Sequence, residues 1–254
     1  MDNKLTIGIP NKGRLQKETE DILAKSNLKI SRSKGNRDYT GKIVEIEGAE
    51  VIFLSPKEIV MELNKGSIDL GITGLDLIQE NIFKSDESVF NIIELGFGHA
   101  DVVIAVPQTW IDVSSISDLD DVIYNFRLKE KRRLRIATKY KNISRNFFSK
   151  INLSDYILVD SHGATEGAPA YGSSEIIIDI TSTGSTLAAN QLKRLDNGTI
   201  LKSQACIFGS LMANWTQSKI NKYLQLFKAI SSTLGTDIEA KNKFLNKLSK
   251  KKPL

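Results

Sequence analysis

The stretch EIIIDITSTGSTLAANQL, residues 175–192, constrains the fold of this chain more than any other part of the sequence. Its apolar run of Ile176, Ile177 and Ile178 is typical of a strand that is covered on both faces in an α/β protein. Asp179 follows near the carboxyl end of that strand, where open α/β sheets bind their ligands. The stretch therefore predicts a buried strand, a polar loop and a helix in succession.

Five hydroxyl side chains and one glycine follow Asp179, and together they suit a phosphate group. Gly184 lets the backbone turn with a positive φ. The helix predicted to begin near Thr186 directs its free N–H groups and the positive end of its dipole at the loop. We interpret the loop as a site for a phosphate and a sugar diol, with an ordinary capped Ser/Thr-rich loop as the alternative. The hydroxyls belong to Thr181, Ser182, Thr183, Ser185 and Thr186.

The composition is that of an ordinary globular chain, and the net positive charge is concentrated at one end. Of the 254 residues, 41% are hydrophobic and 26% are charged, which suits a chain of one or two domains. The formal charge is +5, but residues 241–254 hold six lysines and no acid, and the rest has 29 basic and 30 acidic residues. Because no basic face remains, we expect no nucleic-acid partner and interpret the lysine-rich tail as a frayed, solvated terminus.

The sequence shows neither a disulfide framework nor a metal-binding or hydrolase motif. Cys206 is the single cysteine, and its apolar neighbours favour a buried structural thiol. His99 and His162 lack the spacing of a transition-metal site, and Ser182 and Ser185 stand outside any GxSxG elbow. No export signal and no membrane-spanning segment are recognisable, so we expect a cytoplasmic protein with no membrane partner.

Strand-like and helix-like segments alternate along the first half of the chain, which predicts a parallel α/β sheet. The strands of this half are predicted at residues 5–9, 51–54 and 70–72, and its helices at 13–28, 56–64 and 75–82. The strands of the second half are predicted at 96–107, 134–137, 156–159 and 200–208, and its helices at 112–133, 143–149 and 219–234.

These elements predict a two-lobed α/β protein with parallel-rich sheets. The first lobe comprises residues 1–100 and 198–240, the second lobe comprises 101–197, and the lysine-rich tail comprises 241–254. We expect a ligand to bind in a cleft between the lobes. Solute-binding proteins share this geometry, so a two-lobed solute-binding or sensory module without catalysis is the alternative.

Two further motifs carry side chains suited to an anionic or sugar ligand. In PNKGRL, Lys12 and Arg14 can meet an anion, and Gly13 permits close backbone approach. In GATEGAP, Glu166 forms with Asp179 a carboxylate pair that suits ribose hydroxyls or a hydrated magnesium ion.

Three other motifs give weaker signals of their own. In GSIDLGITGLD, Gly74 and Asp76 follow a strand and suit contact with a ligand or a neighbouring backbone. In RIATKY, Thr138 is placed for a helix cap or a phosphate, while Arg37 in GNRDY indicates only a surface loop.

In this order, the motifs resemble those of the ATP phosphoribosyltransferase family, which begins histidine biosynthesis. The resemblance runs from about residue 5 to about residue 226 and rests on NKGRL, GSIDLGITGLD, RIATKY, GATEGAP and DITSTGSTLAAN. The last of these is similar to the family's phosphoribosyl pyrophosphate loop. The resemblance implies two α/β lobes like those of type II periplasmic binding proteins.

The resemblance also implies a role for each matching residue. Asp179 and Glu166 would hold the ribose of phosphoribosyl pyrophosphate, and residues 182–186, with Thr181 beside them, would cradle its 5′-phosphate. Arg14 and Arg37 look like the family's two catalytic arginines, which face the nucleotide and the leaving pyrophosphate. The implied ATP-binding residues are Lys12, Gly13, Arg14, Gly74 and Asp76.

The implied reaction joins N1 of ATP to C1 of the ribose with inversion, giving N1-(5-phosphoribosyl)-ATP and pyrophosphate. Magnesium would neutralise the pyrophosphate, and the two arginines would add to this effect. The attacking ring nitrogen needs no strong general base, which agrees with a site that has no placed histidine.

The chain departs from the family pattern at several positions. GSSE at residues 172–175 stands where a GLAD-like stretch is common, Ser55 stands where an Arg is frequent, and Ala100 and Asp101 replace a Cys-Lys or Cys-Arg pair. The length resembles the family's short form, without the histidine-binding domain of longer members. The short form implies a homodimer and a hetero-oligomer with a regulatory subunit related to histidyl-tRNA synthetase.

Overall fold

The computed structural model describes residues 3–32, 39–161, 163–235 and 239–250. The chain divides into two compact units, which are Met1–Gly98 with Gln204–Leu254, and His99–Ser203. The second unit extends to Ser203 rather than to the predicted residue 197, because the strand that covers this segment pairs within the second unit.

The strands of the described chain are β1 (Leu5–Pro10), β2 (Ile30–Arg32), β3 (Thr40–Ile43), β4 (Ala49–Leu54), β5 (Leu70–Gly74), β6 (Val89–Glu94), β7 (Ala100–Pro107), β8 (Leu134–Thr138), β9 (Tyr156–Asp160), β10 (Ile176–Thr181), β11 (Leu192–Ser203) and β12 (Ala205–Ser210). The α-helices are α1 (Gly13–Lys25), α2 (Pro56–Lys65), α3 (Leu75–Asn81), α4 (Ser85–Ser88), α5 (Ile116–Glu130), α6 (Lys141–Lys150), α7 (Ser185–Ala189), α8 (Gln217–Leu234) and α9 (Glu239–Lys250). None of these helices combines the length and the apolar composition that crossing a membrane would need.

The first unit is built on a sheet in the order β2-β3-β4-β1-β5-β12-β6. β1 runs parallel to β4 and β5, while β12 lies between β5 and β6 and is antiparallel to both. Leu5, Ile7 and Ile9 alternate along β1 and are buried in one core cluster, as the period of a strand requires. The opposite face of the sheet is covered by a second cluster that includes Ile59 and Leu63 of α2.

Residues at the two ends of α2 determine where this predicted helix begins and ends. Ser55 caps it, because its hydroxyl accepts from the Glu58 amide while the Glu58 carboxylate accepts from the Ser55 amide. Pro56 occupies the first turn, where its missing N–H costs nothing. Gly66 ends the helix with φ +79°, and a Cβ there would lie 2.6 Å from the carbonyl carbon of Met212.

The lysine-rich tail is not the frayed terminus that the charge pattern predicts. Residues 239–250 form α9, whose Phe244 is fully buried and contacts the rings of Trp215, Tyr223 and Phe90. Burying an aromatic ring of this kind gains about 2–3 kcal/mol. α9 therefore belongs to the core of the first unit.

The second unit is built on a sheet in the order β11-β7-β10-β8-β9. β10 lies at its centre, parallel to β8 and antiparallel to β7. Ile176 and Ile178 enter the core cluster on one face and Ile177 the cluster on the other, and all three are fully buried. The prediction of a strand covered on both faces is confirmed.

The two-unit α/β class is confirmed, but the sheets are mixed rather than rich in parallel pairs. Within the described residues, four strand pairs are parallel and six are antiparallel. The prediction missed β2, β3 and β6, and it joined β11 and β12 into one strand at 200–208. β11 and β12 separate at Gln204 because β11 pairs with β7 of the second unit and β12 with β5 of the first.

Candidate active site

Asp179 lies near the carboxyl end of the central strand of the second unit. In β10 it is paired with Val103 of β7, and the preceding Ile178 is paired with Thr138 at the end of β8. Because β8 and β10 are parallel, their carboxyl ends meet at the same edge of the sheet. The structure therefore brings Asp179 beside the RIATKY motif, which the sequence had treated separately.

The carboxyl group of Asp179 is half-buried in a mixed electrostatic environment. Burial raises its pKa above the ordinary value, and the negative charge of Glu166 acts in the same direction. The Ile180 amide, which donates to Asp179 Oδ1 at 2.8 Å, and the cation of Lys139 oppose this rise. A cationic ligand or a sugar that donates hydroxyl hydrogen bonds would favour the ionised carboxylate.

Glu166 sits in a single 3-10 turn, Thr165–Gly167, that follows β9. The turn is anchored because Thr165, Gly167 and the next residue, Ala168, are buried, whereas Glu166 is only half-buried. The sequence predicts that Glu166 and Asp179 act as a pair. The structure brings the two carboxylates within electrostatic range of each other.

The hydroxyl-rich loop after β10 has the local geometry that Gly184 allows. Gly184 has φ +77°. No atom lies within 4 Å of a Cβ placed there, so the space beside its backbone is open. The helix that follows, α7, starts at Ser185, one residue before the predicted position, and is only five residues long. The loop thus ends in one helical turn rather than in a long helix.

The hydroxyl groups of this loop organise the loop itself. Thr181 Oγ1 accepts from the Gly184 amide at 2.9 Å, and Thr183 Oγ1 accepts from the Ser185 amide at 3.3 Å. Ser182 Oγ donates to the carbonyl of His99 at 3.0 Å. Ser182, Thr183, Ser185 and Thr186 are exposed, so a phosphate could replace the weaker of these internal bonds with bonds to its own oxygens.

Lys139 is the site residue that the sequence interpretation missed. It directly follows β8, is exposed, and lies close enough to Asp179 for its charge to lower that carboxyl's pKa. Thr138, which the sequence favoured in the same motif, is instead fully buried and accepts from the Tyr140 amide at 2.9 Å. The signal that could have identified Lys139 is its position immediately beyond the strand that neighbours the Asp179 strand.

In the first unit, the PNKGRL motif joins β1 to α1. Lys12 is exposed at the N-cap position, and Gly13 has φ +76° with no atom within 4 Å of a Cβ placed there. Arg14 is exposed on the first turn, and its Nε donates to Glu18 Oε1 at 2.9 Å. The motif therefore presents two cations at the amino end of a helix, where the helix dipole disfavours them unless an anion binds.

Gly74 and Asp76 lie at the junction of β5 and α3, also in the first unit. Gly74 is the N-cap residue, and Asp76 is buried in the first helical turn, where a carboxylate suits the dipole. Its charge, with that of Glu94, adds to the effect of burial on the thiol of Cys206. The predicted contact of Asp76 with a nucleotide stays a prediction.

Arg37 and His162, which the sequence interpretation also named, lie outside the described residues. Within the described part of the chain, no cluster of three or more His, Cys, Asp or Glu side chains is arranged to hold a metal ion.

A surface cavity of about 670 Å³ in the first unit contains none of the predicted site residues. Its charged side chains are engaged with protein groups, because Glu20 accepts from Arg32 at 3.0 Å and Glu45 accepts from the Lys29 amide at 2.7 Å. We therefore assign no ligand to it.

Comparison with known proteins gives consistent matches. Residues 55–229 match the family model described as HisG: ATP phosphoribosyltransferase. The ATP phosphoribosyltransferase of Rhodopseudomonas palustris (strain BisA53) is 50% identical over 218 residues, 86% of this chain and 67% of that protein. The one of Nitrobacter winogradskyi is 49% identical over 216 residues, 85% of this chain and 66% of that protein. The chain thus spans about two thirds of the length of these relatives.

Two solved structures share the fold. The ATP phosphoribosyl transferase (HisG:HisZ) complex from Thermotoga maritima matches with a TM-score of 0.67 and 20% identity, over 91% of this chain and 97% of that chain. Tv2483 bound to L-arginine matches with a TM-score of 0.53 and 12% identity, over 95% of this chain and 88% of that chain. At these identities the likeness concerns the fold alone.

Proposed function

This chain belongs to the ATP phosphoribosyltransferase family, and we propose from this that it transfers the phosphoribosyl group of phosphoribosyl pyrophosphate to N1 of ATP. The observation that carries the proposal is the arrangement around Asp179. Its carboxylate, that of Glu166 and the cation of Lys139 lie together at the carboxyl end of β10, directly before the hydroxyl-rich loop. A sugar diol next to a phosphate matches this arrangement.

The second unit supplies the residues proposed for the donor sugar. Asp179 and Glu166 would accept hydrogen bonds from the 2- and 3-hydroxyls of the ribose. The loop from Thr181 to Thr186 would bind the 5′-phosphate through its hydroxyls and the backbone amides that follow Gly184. The proposed ribose contact would favour the ionised form of Asp179, which burial disfavours, because each donated hydrogen bond stabilises the carboxylate.

The proposed chemistry is a single displacement at C1 of the ribose. The lone pair of adenine N1 forms the new C1–N bond while the C1–O bond to pyrophosphate breaks, and the pyrophosphate leaves with that electron pair. Positive charge develops on the sugar ring, so the nearby carboxylates of Asp179 and Glu166 would stabilise the transition state. Positioning and charge stabilisation are enough, because N1 carries no proton that a base must remove.

The first unit supplies the residues proposed for ATP. Lys12 and Arg14 are exposed cations at the start of α1, and the open backbone at Gly13 permits close approach of a phosphate. Gly74, the N-cap residue of α3, is proposed as a further contact on the family resemblance alone. Arg14 would exchange its bond to Glu18 for a charge-assisted bond to a phosphate oxygen. Arg37 is proposed as the second catalytic arginine on the family resemblance alone.

Magnesium is proposed as the cofactor of this reaction. When bound to pyrophosphate it would neutralise the charge that the leaving group develops. The donor set agrees with an ion that arrives with its substrate, since the described residues offer the Asp179–Glu166 pair but no larger cluster.

We further propose a homodimer that joins a hetero-oligomer with a regulatory subunit related to histidyl-tRNA synthetase. Two findings support this, which are the family resemblance and the fold shared with a chain of the HisG:HisZ complex. A role in histidine biosynthesis would place the enzyme in the cytoplasm, where ATP and phosphoribosyl pyrophosphate are made.

One assay tests the proposed function directly. The purified chain is mixed with ATP, magnesium and phosphoribosyl pyrophosphate in the presence of pyrophosphatase, with and without the regulatory subunit, and phosphoribosyl-ATP is followed by its absorbance. We expect product that depends on all three components, and none when ribose 5-phosphate replaces the donor, because that sugar has no leaving group. Absence of product in both protein preparations would contradict the proposal.

A further inference from the structure

The segment that carries Glu166, residues 163–175, is fixed at its far end by an ion pair that no motif indicates. We call it the Glu166 segment. It lies between β9 and β10, and its middle is held by buried Ala168. A series of backbone hydrogen bonds joins its successive turns, including Tyr171 to Gly167 and Ser173 to Ala168. The segment is therefore a connected unit, so its position depends on both of its ends.

Arg135 and Glu175 form the far anchor of the segment. Glu175 Oε1 accepts from Arg135 Nη2 at 2.7 Å, and Glu175 Oε2 accepts from the Arg135 amide at 2.7 Å. The same Nη2 donates to the carbonyl of Gly172 at 2.9 Å, and the Glu175 amide donates to the Arg135 carbonyl at 3.0 Å. Arg135 thus forms hydrogen bonds to the segment at two residues, Gly172 and Glu175.

A second arginine also pairs with Glu175. Arg132 Nη2 donates to Glu175 Oε1 at 3.0 Å, so one largely buried carboxylate accepts from two guanidinium groups. Although burial acts to raise it, these hydrogen bonds lower the pKa of Glu175 to about 2. The anchor therefore remains ionised at every pH at which the protein is expected to work.

The anchor and the proposed donor-sugar residues lie on the same two strands. Arg135 is the second residue of β8 and Glu175 immediately precedes β10, while Lys139 directly follows β8 and Asp179 lies toward the carboxyl end of β10. We propose that the Arg135–Glu175 pair is a positioning device, which sets the Glu166 segment on the sheet so that Glu166 faces Asp179. The inference rests on the proposed function for the identity of the ligand, which is phosphoribosyl pyrophosphate. It assigns a role to the stretch 172–175 that departs from the family pattern.

A double-mutant cycle tests whether the pair acts through Glu166. The dissociation constant of phosphoribosyl pyrophosphate with magnesium is measured by calorimetry for the full chain and for Arg135→Met, Glu166→Gln and the double variant. We expect each single variant to weaken binding about tenfold, and the double variant to be no weaker than Glu166→Gln, because interacting residues give non-additive effects. Independent effects, which would multiply to about a hundredfold, would overturn the inference, and so would an unchanged affinity of Arg135→Met.

Hydrogen exchange tests the anchor without any substrate, so it separates a failure of this inference from a failure of the proposed function. In Arg135→Met and in Glu175→Gln we expect faster amide exchange confined to residues 163–174. Arg133→Met is the matched control, because this neighbouring arginine pairs with Asp155 at a longer distance of 3.7 Å on the surface. Faster exchange across the whole second unit would show a merely structural pair, and unchanged exchange in the Glu166 segment would show that the pair does not anchor it; either result would overturn the proposal.

Discussion

Lys219 Nζ lies 2.8 Å from Asp69 Oδ1, in a nearly dry environment within the first unit. The second carboxylate oxygen of Asp69 accepts from the Thr6 amide at 2.8 Å. The carboxylate of Asp69, immediately before β5, thereby links β1 near the start of the chain to the first turn of α8 near its end. A buried pair is costly to desolvate, but removing one partner leaves an uncompensated buried charge.

Asp69→Asn is expected to lower the free energy of unfolding by about 3–5 kcal/mol, because it leaves the Lys219 ammonium without its counter-ion. Urea denaturation measures the change. Lys228→Met is the control, since Lys228 is an exposed lysine of the same helix and its loss should change stability by less than about 0.5 kcal/mol. Similar stability for Asp69→Asn and the control would contradict a structural role for the pair.

Phe244→Ala is expected to lower the free energy of unfolding by about 3–5 kcal/mol, because it opens a cavity where a fully buried ring meets three other aromatic side chains. Thermal unfolding measures the loss, with the exposed Asn242→Ala of the same helix as the control. A wild-type melting temperature for Phe244→Ala would mean that α9 is not docked in solution.

Stability is expected to fall in acid through the Glu175 carboxyl group. Its pKa is about 2 in the folded chain and 4.5 in the unfolded chain, so its contribution is complete above pH 4.5 and is lost as the pH falls toward 2. The full contribution is at most about 3 kcal/mol. We expect Glu175→Gln to be less stable than the wild type at neutral pH and to approach it near the acid limit. Parallel stability curves for the two proteins across this range would contradict the assignment.

Asp179→Asn is expected to separate activity from stability. The folded-state pKa of Asp179 is raised, which means that its ionised form destabilises the fold, so the neutral amide should leave stability at pH 7 unchanged or slightly higher. In contrast, kcat/KM for phosphoribosyl pyrophosphate should fall by about a hundredfold or more, because the variant lacks the carboxylate that stabilises the positive charge developing on the ribose. Equal losses in kinetics and in urea denaturation would instead make Asp179 a structural residue.

Cys206 is expected to resist alkylation in the folded protein. Burial, with the charges of Glu94 and Asp76, raises the pKa of its thiol to about 12, so almost no thiolate is present at neutral pH. Iodoacetamide at about pH 8 should leave the native chain unmodified and should label it once in denaturing guanidinium. Rapid labelling of the native chain, followed by mass spectrometry, would show that β12 opens readily.

The sequence predicted the structure correctly where a local pattern of residues determines it. The triple isoleucine before Asp179 predicts a strand with both faces covered, and Gly184 predicts the positive φ of the loop; both are confirmed. The first part of β11 was missed because its long polar stretch, LKRLDNGTILKS, has no regular alternation and owes its conformation to pairing with β7. A local pattern cannot encode such long-range pairing.

The same limit applies to the candidate site. The carboxylates Glu166 and Asp179 could be named from their motifs, whereas Lys139 and the Arg135–Glu175 pair depend on β8 and β10 being neighbours in the sheet. α9 was misread because lysines, four of its twelve residues, dominate its composition. The apolar spacing of Phe244, Leu245 and Leu248 was the signal that could have identified its buried face.

The place of β12 between β5 and β6 has a consequence for how the chain is made. β12 is translated after the whole of the second unit, so β6 emerges from the ribosome long before its strand partner exists. The second unit, whose strands β7 to β11 are contiguous in the chain, can complete its sheet first. The sheet of the first unit can therefore be completed only after the second unit has been synthesised, because the strand between β5 and β6 comes last in the chain.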